Sequence, residues 1–414
     1  MLPHAGRPLS VDERLRRILL GALVLGLGLS ITLAQVALAL LTLRFAYRLL
    51  TGRARPNWPL AWPFGALIAA TGLSTALSEH PLTSLAASSD DVFLIATFYV
   101  LLDALRDTRE VDRWAVPFFV LMAMLAIVGI VQVAACPWLE PLAPTLGRVA
   151  RKCHRAHAFY SIYMTLAGVL SLVLLAALPR LLAGGGPRAS WGFAAWIAGA
   201  AGLAATYVRG AWLGLLAGVA LLLVLLPRRR LLVLGCLVGF GVLVLLVPDV
   251  RRRAESLLDP ADPTARERWA MWASALAMAR DHPLAGIGPG AMKREYPRYA
   301  APEYRERSRS HVHNTPLQIL VERGLLGLAA WAAIFVGFFW RAARILVRLS
   351  PAANHQRANV LGSIASIAGF LVGGMTEYNF GDSEVVLVAY ALMALPFVVE
   401  RASERNRFVS AAGG

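Results

Sequence analysis

The chain has 414 residues, of which 57% are hydrophobic and only 16% are charged. Soluble globular proteins carry about 25% charged residues, so this composition excludes a water-soluble globule. Uncharged runs of nearly membrane-spanning length recur along the chain without the two-residue alternation of a transmembrane β-barrel, which predicts an all-α polytopic membrane protein.

The basic residues orient the apolar runs, because short cytoplasmic loops carry an excess of Lys and Arg. The net charge of +16 comes almost wholly from arginine, since Lys152 and Lys293 are the only lysines. An arginine at a cytoplasmic helix end therefore needs no functional explanation, whereas an arginine on the opposite face does.

The N-terminal half contains six predicted spans. Arginines flank the first uncharged run, Ile18–Leu43, on both sides, so we interpret it as a hairpin of two short helices that turns near Leu29–Thr32. One of the later spans is short and contains Asp103. The four spans after the hairpin are predicted at Leu60–Ser78, Val92–Leu105, Trp114–Cys136 and Phe159–Leu178.

The C-terminal half contains a second hairpin, which ends at the basic triplet Arg228–Arg230, and four single spans. The total is about twelve transmembrane helices with both termini in the cytoplasm. Residues 1–247 hold helices 1–9, residues 248–315 form a large periplasmic loop, and residues 316–414 hold helices 10–12 and a cytoplasmic tail. These spans are predicted at Trp191–Val208, Gly210–Leu226, Leu231–Val247, Pro316–Trp340, Ala358–Met375 and Ser383–Val399.

The large loop is predicted to contain helices. Asp262-Pro263 is a helix-start signal, and the helix is expected over Arg266–Arg280. Its apolar side chains lie three and four residues apart, a stripe suited to the membrane surface or to the bundle. The stripe consists of Trp269, Trp272, Ala273 and Leu276.

Arg209 is the charged residue with the least obvious structural role. It is the only charge between Arg188 and Arg228, at the apex of the second hairpin. Two interpretations remain open at this point. The side chain snorkels to the outer headgroups as a turn residue, or its guanidinium binds a phosphate or diphosphate.

His313 precedes the predicted start of the tenth helix, where free N–H groups favour an anion. Below it, Asn314, Gln318 and Glu322 recur every four residues as a polar stripe. A histidine in this setting is either a hydrogen-bonding filler or a catalyst, and the stripe favours the catalyst.

Other polar groups leave alternatives open. His311 with His313 does not predict a zinc site, because no carboxylate or thiolate set accompanies them. Cys136 and Cys153 flank one outer segment and form either a disulfide or two free thiols. An acidic outer turn between the last two helices either pairs with the excess arginines or hydrogen-bonds a sugar; it consists of Glu377, Tyr378, Asn379, Asp382 and Glu384.

Four motifs together resemble a known family, the bacterial O-antigen ligases, which share a superfamily with O-antigen polymerases and protein O-oligosaccharyltransferases. A histidine–asparagine pair followed by Gly-x-x-Gly is similar to the family's signature. The family often has glycine where this chain has His157. The matching segments are His313-Asn314 with Gly324–Gly327, Val208–Gly214, Arg268–Trp272 with His282–Gly288, and Arg155–Phe159.

The resemblance implies a GT-C-type enzyme of the Gram-negative inner membrane with its active site facing the periplasm. Such an enzyme moves O-antigen polysaccharide from undecaprenyl diphosphate to the lipid A–core oligosaccharide. It uses no nucleotide sugar, metal or other cofactor, and its partners are these two substrates and membrane lipids, with no nucleic acid.

The family chemistry assigns roles to the residues already singled out. Diphosphate is a good leaving group that requires charge neutralisation, for which Arg209, Arg268 and Arg155 are the candidates. The acceptor hydroxyl requires a base, and His313 suits this task. Single displacement of this kind inverts the anomeric carbon. Asn314, Gln318 and Tyr378 are candidate supporting residues.

Two classes of alternative remain. A sibling enzyme would be an O-antigen polymerase or a protein O-oligosaccharyltransferase; the latter tends to carry a further C-terminal soluble region, and the short stretch after Val399 favours the ligase. A non-enzyme alternative is a flippase or transporter of lipid-linked glycan. Transporters usually place ionisable groups at the midplane, whereas the unexplained charges here gather on one face.

Overall fold

The structure is a computed structural model that describes residues 10–412 except 55–56, 147–149, 151, 185–186, 257–258, 260–261 and 307–308. This part of the chain is helical and contains no β-strand. The arginines at positions 148, 151 and 307 lie outside the described residues.

The described residues of the first third of the chain form seven helices, and a 3₁₀ turn, Glu140–Leu142, joins the last two. They are α1 (Val11–Leu29), α2 (Ile31–Leu50), α3 (Ala61–Leu77), α4 (Pro81–Ala104), α5 (Thr108–Ala134), α6 (Cys136–Leu139) and α7 (Ala143–Leu146).

Ten helices follow. They are α8 (Tyr163–Ala183), α9 (Pro187–Ala205), α10 (Arg209–Leu225), α11 (Arg230–Leu246), α12 (Pro248–Glu255), α13 (Pro263–Asp281), α14 (Met292–Tyr299), α15 (Thr315–Arg348), α16 (Asn354–Gly374) and α17 (Ser383–Ala412).

The first uncharged run overlaps two helices, α1 and α2, and each later predicted span overlaps a long helix. Among the described residues, eight helices are long and apolar enough to cross a membrane, and three shorter apolar helices accompany them. The chain is thus an all-helical, multi-pass membrane protein, while the count of twelve spans and the side of each loop stay predictions. The first hairpin turns at Ser30, within the predicted Leu29–Thr32.

The fourth predicted span starts too late in the sequence-based interpretation. Helix α4 begins at Pro81, not at Val92, because a proline at the first helical position starts it and Asp90 and Asp91 continue the helix. Asp103, near its other end, lies 3.1 Å from Arg44. Asp90, Asp91 and Asp103 are therefore all accommodated within one helix.

The stripe predicted on α13 is buried only in part. Trp272 packs against the buried cluster that contains Met271 and Met278, and its Nε1–H donates to the Val312 carbonyl at 2.9 Å. Trp269 and Leu276 are exposed, so only this part of the stripe remains available to the membrane surface.

Helix α16 lies at the centre of the bundle and packs closely on α8 and α10. A side chain at Gly214 of α10 would place its Cβ 2.5 Å from the Gly369 carbonyl oxygen of α16. Small residues at such crossings let helix backbones approach within a membrane. This approach fixes the start of α10, where Arg209 lies, against the turn that follows α16.

Helix α15 is broken at Gly324, whose φ of 63° and ψ of −167° are not helical. The segment 283–288 lies against the break: Leu325 N–H donates to the Pro283 carbonyl (2.8 Å), and Ile287 N–H donates to Val321 (2.9 Å). A Cβ at Gly324 would lie 2.2 Å from the Leu284 carbonyl carbon, so only glycine fits here. The loop is thereby attached to the helix that follows His313.

Candidate active site

The backbone at the start of α15 orients His313. Asn314 caps this helix, since its Oδ1 accepts from the Leu317 N–H at 2.9 Å, and its Nδ2 donates to the Met375 carbonyl at 2.9 Å. His313 itself has φ 50°, a left-handed conformation that is uncommon outside glycine. The cap and this turn together direct the histidine away from the helix axis.

Gln318 supports the same turn from below. It is fully buried, accepts from the Val312 N–H at 2.9 Å and donates to the Glu322 carboxylate at 2.8 Å. Asn314 and Gln318, two of the predicted supporting residues, thus hold the backbone on either side of His313.

Glu377 links the histidine to an arginine. Its Oε2 lies 3.2 Å from His313 Nδ1, and its Oε1 accepts from Arg268 Nη2 at 2.8 Å. Burial raises the pKa of Glu377, but the hydrogen bonds and charges of His313 and Arg268 outweigh burial and lower it. The carboxylate is therefore ionised, favours the proton on Nδ1, and leaves Nε2 as the basic ring nitrogen.

The sequence pointed to Glu377 only as one member of an acidic turn. It is 64 residues from His313 along the chain. No local spacing relates the two, so only the fold brings them together.

A cavity of about 160 Å³ collects all four residues predicted to carry the chemistry: Arg155, Arg209, Arg268 and His313. We call it the arginine cavity. Its walls come from the segment before α8, the first residue of α10, the middle of α13 and the turn before α15. Arg253 and Arg309 also line it.

Arg209 is 7% exposed and does not reach outward as a snorkelling side chain would. Its Nη1 donates to the Ser256 hydroxyl at 2.7 Å and lies 3.8 Å from the Asp262 carboxylate. Arg155 stacks 4.4 Å from the centre of the Tyr163 ring. These contacts hold two guanidinium groups at the wall of the cavity.

Arg253 is a site residue that sequence reasoning missed. It lies in the basic triplet Arg251–Arg253, from which no spacing distinguishes it. Its Nε is buried and has no hydrogen-bond partner among the residues that the structure describes. Burial, followed by the charge of Arg155, lowers the pKa of Arg253. An anion in the cavity would provide the missing acceptor and relieve this repulsion.

A larger cavity of about 680 Å³ adjoins the arginine cavity, and Glu377, Met164 and Val208 line both. Tyr378 and His311 line only this larger one, which we call the acidic cavity. Arg323 on its wall is ion-paired with Asp91 and, at 2.9 Å, with Glu322. The carboxylates that line it are Asp90, Asp91, Glu322, Glu377, Asp382 and Glu384.

His311 lies beside His313, with ring centres 4.5 Å apart, but its chemistry differs. Burial, followed by the charge of His313, lowers the pKa of His311 to about 4. An imidazole with so acidic a conjugate acid is a weak base at neutral pH. The carboxylate contact of His313 therefore distinguishes the two histidines.

The structure decides between a disulfide and two free thiols at Cys136 and Cys153. Cys136 and Cys153 form a disulfide, with Cα atoms 5.2 Å apart. Among the described residues, the group close enough to hold a metal is Cys136, Cys153 and His154, but its two sulfurs are bonded to each other and are not thiolate ligands. His311 and His313 do not belong to that group.

The disulfide holds the segment that presents Arg155. Cys153 is two residues from Arg155, and Ala156 N–H donates to the Ala205 carbonyl at 2.9 Å on the other side.

The disulfide links two cysteines that are 17 positions apart, and it therefore restricts the unfolded chain. We expect the Cys136→Ala/Cys153→Ala double variant to lose about 2–4 kcal/mol of stability. Thermal unfolding in detergent measures this, and an unchanged midpoint would contradict it; reductant should shift only the wild type.

Asp382 gives a pH dependence. Burial raises the pKa of Asp382 to about 6, against a hydrogen bond from Thr165 at 2.6 Å. The folded chain then holds more protons than the unfolded chain between about pH 4 and 6, so its free energy of unfolding falls as pH rises through this window. Asp382→Asn should remove this fall in pH-dependent unfolding, whereas exposed Asp249→Asn should retain it. Parallel wild-type and Asp382→Asn curves would contradict the assignment.

Part of the chain that lines the arginine cavity matches a known protein family. Residues 193–332 match a family model described as O-antigen ligase. The matched stretch contains Arg209, Arg253, Arg268 and His313, whereas Arg155 and Glu377 lie outside it. No curated protein matches the chain. Over residues 193–332, the chain is similar to the O-antigen ligase family.

Proposed function

We propose that this protein is an O-antigen ligase. It is an inverting, metal-independent glycosyltransferase that moves O-antigen polysaccharide from undecaprenyl diphosphate to the lipid A–core oligosaccharide at the periplasmic face of the inner membrane. One observation carries the proposal: Arg155, Arg209, Arg268 and a carboxylate-bound His313 line a single cavity.

The arginine cavity is the diphosphate site in this proposal. Guanidinium groups bind phosphate oxygens through paired N–H donors, and charge-assisted bonds of this kind are stronger than neutral ones. Arg253 adds a donor whose Nε is buried without a partner. Several cations around a small cavity stabilise the negative charge that develops as the diphosphate leaves.

His313 is the general base. Its Nδ1 is bound to Glu377, so Nε2 receives the proton of the acceptor hydroxyl. Glu377 then stabilises the imidazolium that forms. Glu377 is a positioning residue here, because it acts through His313 and not on the substrates.

The reaction is one displacement. The acceptor oxygen attacks the anomeric carbon from the face opposite the diphosphate and forms the new glycosidic bond. The bond between the anomeric carbon and the phosphate oxygen breaks, and its electron pair leaves with the diphosphate. The hydroxyl proton passes to His313, and the anomeric configuration inverts.

The acidic cavity is the place for the acceptor sugars. It shares Glu377 with the arginine cavity, so a sugar hydroxyl there approaches the same histidine. Carboxylates and the Tyr378 hydroxyl are hydrogen-bond partners suited to an oligosaccharide. Its acidic lining disfavours a second diphosphate, which favours a ligase over a polymerase whose acceptor is also lipid-linked.

Reconstitution from purified components tests the function. We expect the protein, given undecaprenyl-diphosphate glycan and lipid A–core, to yield lipopolysaccharide with an inverted anomeric linkage. Longer undecaprenyl-linked glycan in place of this product would identify a polymerase, and glycosylated peptide an oligosaccharyltransferase. Movement of glycolipid across liposomes with no transfer would identify a flippase and refute the proposal.

A further inference from the structure

A third cavity lies outside the proposed active site, between α1, α4, α5, α8, α16 and α17. Its volume is about 220 Å³, far larger than the ~30 Å³ of one water molecule. Its lining is almost wholly apolar, with leucine and valine from α1, α4 and α5. Val116, which lines it, is 56% exposed, so the cavity extends to the outer surface of the bundle.

Three residues on its wall carry buried N–H groups that find no hydrogen-bond acceptor within the described part of the chain. They are Trp114 (Nε1), Arg180 (Nη2) and Asn359 (Nδ2). Asn359 is only 1% exposed, and its Oδ1 is occupied by the Arg180 Nε–H. A buried donor without an acceptor costs about 1–3 kcal/mol. Three such donors at one apolar cavity indicate a ligand that brings oxygen acceptors and an apolar chain.

The positions and charges of these residues restrict the class of ligand that fits the cavity. Arg180 lies in the last turn of α8, and Trp114 near the start of α5, where aromatic residues commonly mark the membrane interface. Arg180 Nη2 lies 3.2 Å from the Asp112 carboxylate but without hydrogen-bond geometry. A phospholipid fits this arrangement, because its oxygen acceptors lie at the membrane interface and its acyl chains extend inward.

We propose that this cavity binds one phospholipid. An acyl chain lies among the apolar side chains, and phosphate or ester oxygens accept hydrogen bonds from Trp114, Arg180 and Asn359. None of these three residues lines the arginine cavity or the acidic cavity, and only Leu387 of the apolar lining also borders the acidic cavity. The lipid proposal can therefore be tested without the proposed transferase activity.

Native mass spectrometry tests the site. Protein purified in detergent and stripped of lipid is titrated with phosphatidylglycerol, and we expect one tightly bound molecule per chain. Trp114→Phe keeps the ring and removes one donor, so its binding should weaken roughly five-fold. Ala177→Leu fills the cavity and should abolish the tight binding.

Two matched variants serve as controls. Trp191→Phe and Ala69→Leu change exposed residues that line no cavity described above, and they should bind phosphatidylglycerol as the wild type does. Equal binding by Trp114→Phe and the wild type would overturn the proposal. So would displacement of the bound lipid by an equimolar amount of undecaprenyl phosphate, which would assign the cavity to a prenyl chain.

Discussion

Replacement of His313 by alanine is expected to lower kcat by roughly 10²–10⁴-fold, the usual contribution of a general base. KM for both substrates should change little, because the histidine takes the proton in the transition state and does not hold either substrate. Transfer from undecaprenyl-diphosphate glycan to lipid A–core, followed with purified protein in detergent, provides both constants.

His311→Ala is the matched control for this prediction. The two rings are adjacent, but the pKa of His311 is lowered to about 4. The hydrogen bonds of His311 to described residues do not include one to a carboxylate. The kcat of His311→Ala should therefore stay near the wild-type value. Glu377→Gln should lower kcat less than His313→Ala and change its pH profile. Wild-type turnover by His313→Ala would remove this residue from the mechanism, whatever the control does.

Simultaneous replacement of Arg155 and Arg209 by alanine should give the second large effect. Each guanidinium is assigned at least one charge-assisted hydrogen bond to diphosphate, worth about 1.5–3 kcal/mol. Together they amount to about 3–6 kcal/mol, or roughly 10²–10⁴-fold in kcat/KM for the donor. Kinetics with the donor varied at saturating acceptor measure this loss.

Arg251→Ala is the control for charge alone. Arg251 belongs to the same basic triplet as Arg253 but is exposed, paired with Glu255 at 3.6 Å, and lines none of the cavities. It should retain wild-type donor kinetics. Normal donor kinetics in the double arginine variant would instead favour a structural role for both side chains. The single variants then measure their coupling, since neighbouring cations in one cavity need not contribute additively.

Two site residues could be predicted from the sequence because their residue types are unexpected at those positions. Arg209 is conspicuous because a lone charge in an apolar hairpin is costly, and His313 because it precedes a helix start with a polar stripe. The structure places both in one cavity with Arg155 and Arg268. Helix identity was also predictable, since long uncharged runs have few alternatives in a membrane.

Other features depend on contacts between distant segments. Glu377 becomes significant only through its bonds to His313 and Arg268, which are far from it in the chain. Asp91 pairs with Arg323, which is 232 residues away along the chain, so no local spacing predicts this contact. Arg253 carries no local signal that separates it from Arg251. The periodicity of a sequence predicts which side of a helix is buried, but it does not predict which charged residues contact each other.

The break in α15 bears on how substrates arrive. Because backbone hydrogen bonds attach segment 283–288 to both sides of Gly324, movement of this segment away from the bundle would break its bonds to α15, the helix that follows His313. We therefore expect both glycolipids to reach the reaction centre sideways, by diffusion within the bilayer and entry between helices, with their lipid anchors never leaving the membrane.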